Sequence, residues 1–377
     1  MLLWAVVSPS HAAGVARLCV ARLILKGVPV TSFGRRTLLT AAVGTGLATT
    51  ASPAFGATRG AVAGSGPRAD SSLSGRQYEI SYGDQRVVVT ELGAGLRSYR
   101  VGATELLDTF GPRDYPTGSS YGQLLVPWPN RIDHGTYVFD GVTQELPWSE
   151  PQAQNAIHGL TRWVNWFPIE QSHSRLVMGL TSHAQPGYPF VLKLRQTYEL
   201  SEHGLTVTNS VVNLGNTRTP YGMGQHPYFT LGTELIDDIV LTLPARAYFL
   251  TNDRSIPEPP PVTVQNTPYD FRSARPVGDT VMDTGFTDLS RGRDGRAWVH
   301  MTSPKSPVCI SVWLSKSCDY LQVYTGDTLP VVARRRKGLA IEPYTCASNA
   351  FNNKLGLRIL APGQTFEARW GVRPSVG

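Results

Sequence analysis

Three short segments carry side chains able to move protons. In Gly224-Gln225-His226-Pro227-Tyr228-Phe229 a histidine sits beside a proline and two aromatics, surroundings that fix an imidazole and limit its solvation. Ile341-Glu342-Pro343 puts a carboxylate at the end of an apolar stretch, where desolvation raises its affinity for a proton and makes it a useful base. Asn155-Ala156-Ile157-His158-Gly159 adds a second histidine just before a glycine. Each alone also fits a blander role: a core histidine, a strand-end carboxylate, a turn. Together they describe general acid–base chemistry.

Other strings carry less. Gly118-Ser119-Ser120-Tyr121-Gly122 satisfies the serine-hydrolase G-x-S-x-G pattern, but that pattern works only where a strand turns into a helix. Here Gln123 to Val126 runs into Pro127-Trp128-Pro129, which cannot open one. Arg334-Arg335-Arg336-Lys337 could grip phosphates, yet four basic residues at a turn before a strand are expected as a solvated hairpin tip. No C-x-x-C spacing suggests zinc. Cys309 and Cys318 are close enough in sequence to bridge across a hairpin, leaving Cys346 as a free thiol.

The elements that must hold these groups are strands. Leu192 and Leu194 alternate with Lys193 and Arg195, and Leu205 and Val207 with Thr206 and Thr208, a period of two that suits half-buried strands. Further strands are expected at Arg86 to Leu92, Thr136 to Phe139, Ile239 to Leu243, Pro307 to Leu314, Tyr320 to Tyr324, Gly338 to Ile341 and Phe366 to Val372. No long amphipathic helix is visible. The prolines at 257, 259, 260 and 261 argue for a stiff loop. Many short strands joined by turn-rich connections point to an all-β, antiparallel sandwich in one large domain, residues 77–377.

The chain has 377 residues, 41% of them apolar and 17% charged, which excludes a disordered or supercharged protein. Its formal charge of +7 is concentrated at the start. Residues 1–57 hold Arg17, Arg22, Lys26, Arg35 and Arg36 with no acid, so the remainder has 30 basic against 28 acidic residues. Nucleic-acid binding is therefore not expected. Arg35-Arg36, then Leu38-Leu39 and a mild run of Ala, Val, Gly, Leu and Thr, form a twin-arginine export signal within a leader spanning 1–63. Cleavage is expected after Gly56 or Ala63, with a Ser/Gly-rich linker over 64–76. Met1 to Thr31 is long for such a leader, as expected if translation starts further along. No later segment offers eighteen uninterrupted apolar residues, so no membrane span is expected after cleavage, and the protein should be extracellular or periplasmic.

In their order along the chain these segments resemble the aldose 1-epimerases (mutarotases). The resemblance begins at Glu91-Leu92-Gly93-Ala94 and Leu96-Arg97-Ser98 and continues through Pro127-Trp128-Pro129-Asn130-Arg131-Ile132, Gly135-Thr136-Tyr137 and Asn155 to Gly159. It then takes in Gly187-Tyr188-Pro189, Asn213-Leu214-Gly215, His226 to Phe229, Thr267 to Arg272, Asp283 to Phe286, Leu321 to Gly326, Ile341-Glu342-Pro343 and Leu360 to Gly363. It implies a large single-domain β-sandwich and interconversion of the α and β anomers of a free aldose. A carboxylate and an imidazole on opposite sides of the sugar would do this without metal, nucleotide or other cofactor.

By resemblance, Glu342 is the base, His226 the acid, and His158 a support that also holds the sugar. Arg131 and Asp283 would hydrogen-bond its hydroxyls, with Asn130 beside them. Tyr228, Tyr324, Trp128 and Trp163 could stack on a pyranose face, or be core. The pattern departs from the family at Leu160 and Phe190, where glycine is common, at Tyr344, where many members have glutamine, and over Thr345 to Asn352. Galactose preference does not transfer. Sugar phosphates are cytoplasmic metabolites, so an export signal favours a free sugar. Two other readings stay open: a non-catalytic carbohydrate-binding protein on the same sandwich, and a lyase or isomerase acting on an oligosaccharide.

Overall fold

The period-two pattern is realised as two large antiparallel sheets. The computed structural model describes residues 72–376 apart from 112 and 115–118. The leader with its twin arginines, most of the linker, and Gly118 of the G-x-S-x-G string lie outside these residues. The described residues close the linker early: Ser74 is buried and its carbonyl accepts from Leu92 N–H.

The nine-stranded sheet runs in the order Phe167–Gln171, Arg175–Ser182, Leu192–Ser201, Gly204–Asn213, Thr365–Val376, Ser306–Leu314, Ala297–Ser303, Val240–Thr242 and Arg275–Pro276. Its alternation is clean: Leu192, Leu194, Tyr198 and Leu200 are buried, while Lys193, Arg195 and Glu199 are exposed. The eight-stranded sheet runs Pro257–Thr263, Ala245–Thr251, Asp283–Leu289, Tyr320–Tyr324, Leu339–Tyr344, Gly224–Gln225 and Leu124–Leu125, with Tyr228–Phe229 also paired to Leu339–Tyr344. Among the described residues the single α-helix is the four-residue turn Ala350–Asn353. The all-β antiparallel sandwich is therefore as the sequence leads one to expect.

A buried polar cluster ties the sheets together. Gln225 Nε2 donates to the Tyr198 hydroxyl and to the carbonyl of Gly122, while its Oε1 accepts from Gln196 Nε2 and Trp370 Nε1. Asn209 Nδ2 donates to Gln196 Oε1 and its Oδ1 accepts from the Tyr221 hydroxyl. Gln196, Asn209 and Trp370 belong to one sheet and Gln225 to the other, so these amides satisfy one another only when the two sheets are in register.

Three expectations need correction. The proline-rich segment is a strand: Pro257–Thr263 pairs with Ala245–Thr251 at the sheet edge, where one side needs no ladder donors and prolines are tolerated. Cys309 and Cys318 do not pair; both are free, as is Cys346. Cys309 lies within the long strand Ser306–Leu314, and Cys318 in the turn after it with its thiol donating to Arg369 O, so no hairpin separates them. The run Arg334 to Lys337 is not a solvated tip. Arg334 pairs with Asp108, Arg336 with Asp237 and Asp327, while Arg335 and Lys337 donate to the carbonyls of Leu329 and Glu234.

Candidate active site

Three neighbouring strands of the smaller sheet, Asp283–Leu289, Tyr320–Tyr324 and Leu339–Tyr344, form the floor of a cavity of about 480 Å³. Their register places Asp283 opposite Tyr324, and Gln322 opposite Glu342. Residues between them, such as Leu321, Val323 and Ile341, point into the core. The cavity is completed by Asn130, Arg131, Glu150, His158, Arg162, Trp163, His226, Tyr228 and the segment Thr328 to Pro330.

His226 enters from the other side of Gly224–Gln225. Gln225 is consumed by the core network, so the next side chain faces the cavity. There His226 Nε2 lies 3.5 Å from Glu342 Oε1. The two side chains thus lie next to each other at the cavity floor and not across the cavity from one another. The anomeric hydroxyl and the ring oxygen of an aldose share one carbon, so adjacent groups can serve both.

Both members of this pair are buried, and burial dominates their protonation. It pushes the His226 imidazole down to about 3, with the Arg162 guanidinium acting in the same direction. Burial holds the Glu342 carboxyl well above the usual carboxylate range, despite a hydrogen bond from the Tyr344 hydroxyl. Burial thus works against an ion pair at this contact and favours the form in which the imidazole is neutral and the carboxyl keeps the pair's one proton.

His158 stands edge-on to His226, with ring centroids 5.5 Å apart and an interplanar angle of 74°. Its Nδ1 accepts from Asn130 N–H at 3.2 Å, which leaves the proton of the neutral ring on Nε2. The ring is held neutral by burial, then by the charges of Arg162 and Arg131. The residue that follows, Gly159, has φ +67°, and a Cβ there would stand 2.1 Å from the carbonyl oxygen of Val126. Only glycine allows this turn to approach so closely.

Arg131 is held as a fork: Nε and Nη2 donate to the two oxygens of Glu150 at 2.8 and 2.9 Å. Nη1 lies 3.6 Å from Asp283 Oδ2, and Asp283 Oδ1 accepts from Gln322 Nε2 at 2.6 Å. Burial alone would raise Glu150, but the Arg131 hydrogen bond and charge outweigh it and keep the carboxylate below its usual range. Asn155 Nδ2 also donates to Glu150. Asn130 is buried at the foot of this group, its Oδ1 accepting from Arg131 N–H and from Ser348 Oγ.

Of the aromatic candidates, Trp128 is core, packed edge-on against Phe351. Tyr228 lines the cavity but stacks on the His226 ring at 4.7 Å and packs on Tyr121, so it backs the imidazole. Tyr324 is half-buried and bonds to Thr328 through its hydroxyl. Trp163, with the Arg162 guanidinium 5.2 Å from its centroid, is the most exposed ring on the wall. Among the described residues no three His, Cys, Asp or Glu side chains converge as a metal site. Glu150, Arg162, Gln322 and the contact made by Tyr344 escape sequence reasoning. Gln322, a lone amide between Leu321 and Val323 in phase with Tyr320 and Tyr324, is the one with a legible signal.

The comparison with known proteins decides the family, because residues 76–373 match that of aldose 1-epimerase. The chain belongs to the aldose 1-epimerase family. The uncharacterised protein YihR of Escherichia coli is 31% identical to it over 295 residues, which is 77% of this chain and 91% of that one. The aldose 1-epimerase of Haemophilus influenzae is 28% identical over 233 residues, 57% of this chain and 67% of its own. A solved structure of the GalM/aldose epimerase homologue of C. elegans superposes with a TM-score of 0.71 at 20% identity, covering 80% of this chain and 99% of its own. At that identity the likeness is one of fold, and it matches the epimerase-family sandwich described above.

Proposed function

We propose that the protein is an aldose 1-epimerase that interconverts the α and β anomers of a free aldose. The observation that carries this reading is the buried His226–Glu342 pair, 3.5 Å apart at the floor of a sugar-sized polar cavity. The pair's proton passes from the Glu342 carboxyl to His226; Glu342, now the carboxylate, takes the proton from the anomeric hydroxyl while protonated His226 gives its own to the ring oxygen. The bond from C1 to the ring oxygen breaks as the C1 carbonyl forms. The pair then holds its one proton on the carboxyl, which is its resting arrangement. After rotation about the C1–C2 bond both transfers reverse and the ring closes on the other face.

His158 Nε2–H is a donor for a sugar oxygen, and Arg131 with Asp283 offers donors and acceptors to the hydroxyls beyond. A carbohydrate-binding module would use Arg131 and Asp283 but has no need of two proton-transfer groups sharing one proton. Polarimetry with freshly dissolved α-glucose, α-galactose and other aldoses tests the reading; no acceleration over buffer for any of them would sink it. Export through the twin-arginine route belongs to the same proposal. Changing Arg35-Arg36 to a lysine pair should trap the protein inside the cell, and unchanged secretion would refute that part.

A further inference from the structure

Tyr344 lies two residues beyond Glu342 on one strand, so the pleat sends both side chains to the same face. Its hydroxyl donates to Glu342 Oε2 at 2.5 Å, with both groups buried. The other oxygen, Oε1, is the one that meets His226. Tyr344 does not line the sugar cavity. It lines a narrow cleft behind it, with Tyr320, Gln322 and Ser348. The opposing strand makes room for it: Gly224 is its register partner, and a Cβ there would stand 2.5 Å from the phenol ring. The residue that leads directly into Gln225-His226 is thus shaped around Tyr344.

We propose that Tyr344 is a positioning residue, holding Glu342 by Oε2 so that its ionised form is easier to reach and Oε1 is left to take the proton of the anomeric hydroxyl. This rests on the reading of Glu342 as the base. A carboxylate accepting a hydroxyl hydrogen bond is stabilised relative to its acid, and such a charge-assisted bond is among the stronger kinds. The groups facing Glu342 are His226 and Tyr228 from one side, Asp283 from the neighbouring strand and Arg131 across the cavity. Asp283 opposes its ionisation, and Tyr344 supports it more than the distant Arg131 does.

The test is Tyr344→Phe, which removes one hydroxyl and keeps the ring. With protein labelled with 13C at glutamate side-chain carboxyls, the titration of Glu342 should move up by about one pH unit, and kcat should fall roughly tenfold or more with KM unchanged. Tyr320→Phe removes a phenol from the same cleft without touching Glu342 and should change neither quantity. An unmoved Glu342 titration in Tyr344→Phe, or an equal shift in Tyr320→Phe, overturns the proposal. If no aldose is turned over, the functional reading fails on its own, and the carboxyl titration still decides the role of Tyr344.

Discussion

His226 Nε2 and Glu342 Oε1 face each other at 3.5 Å, both nearly buried at the cavity floor, although Glu342 sits on the strand Leu339–Tyr344 and His226 in the short link between Gly224–Gln225 and Tyr228–Phe229. Two buried groups that share one proton form an acid and a base at once, and passing that proton from the carboxyl to the imidazole charges both together. Each variant of the pair should therefore be crippled alone. Glu342→Gln and His226→Asn are expected to lower kcat by roughly 10² or more while leaving the far-ultraviolet circular dichroism intact. Near-normal turnover in either would show that the proton passes elsewhere.

The protonation of this pair sets the pH profile. A second proton must enter on His226, whose ring is pushed down to about 3, chiefly by burial. The single proton leaves from Glu342, whose carboxyl burial holds above its usual range. Activity as kcat/KM should show no acid limb near about pH 6.5, where a surface imidazole titrates, falling on the acid side only well below it and falling on the alkaline side as Glu342 loses the pair's proton. An acid limb centred near that pH would mean that His226 is hydrated and the pair is not dry.

Arg131 depends on Glu150 for its orientation. Glu150→Gln keeps the shape but removes the charge and one of the two acceptors. The guanidinium then turns toward Asp283, and KM for the preferred aldose should rise roughly tenfold with a smaller change in kcat. Equal losses in kcat and kcat/KM would place Arg131 in the chemistry instead of in sugar binding.

Gly224→Ala inserts a methyl into the ring of Tyr344. Overpacking of this kind costs about 1–3 kcal/mol, so thermal unfolding should shift down by several degrees. Activity should fall as well, because the disturbed residue sits two places before His226. A variant with unchanged melting and turnover would show that the two strands separate more readily than their register suggests.

Much of this was legible in the sequence because strands write themselves with a period of two. Thr136–Phe139 and Tyr320–Tyr324 end where alternation ends, and the titratable side chains that line the cavity, His226 and Glu342, could be picked out by their apolar neighbours. What stayed hidden depends on partners remote in sequence. The prolines of Pro257–Thr263 look like a loop until the strand is known to lie at an edge. The basic run Arg334 to Lys337 looks solvated until Asp108, Asp237 and Asp327 fold against it. Glu150 sits in a connection with no periodicity, and only the folded chain brings it to Arg131.

The amide cluster around Gln225 divides the site into two regions of unequal freedom. His226 inherits its direction from a side chain whose hydrogen bonds span both sheets, so an error there would leave several buried amides unpaired. The rim, by contrast, is made of connections: Ser149–Glu150, Arg162–Trp163 and Thr328 to Pro330. Sequence change can reshape those connections while the backbone that carries His226 and Glu342 stays in place. A lineage built on this sandwich can thus change what its cavity admits while the buried His226–Glu342 contact is inherited with the core.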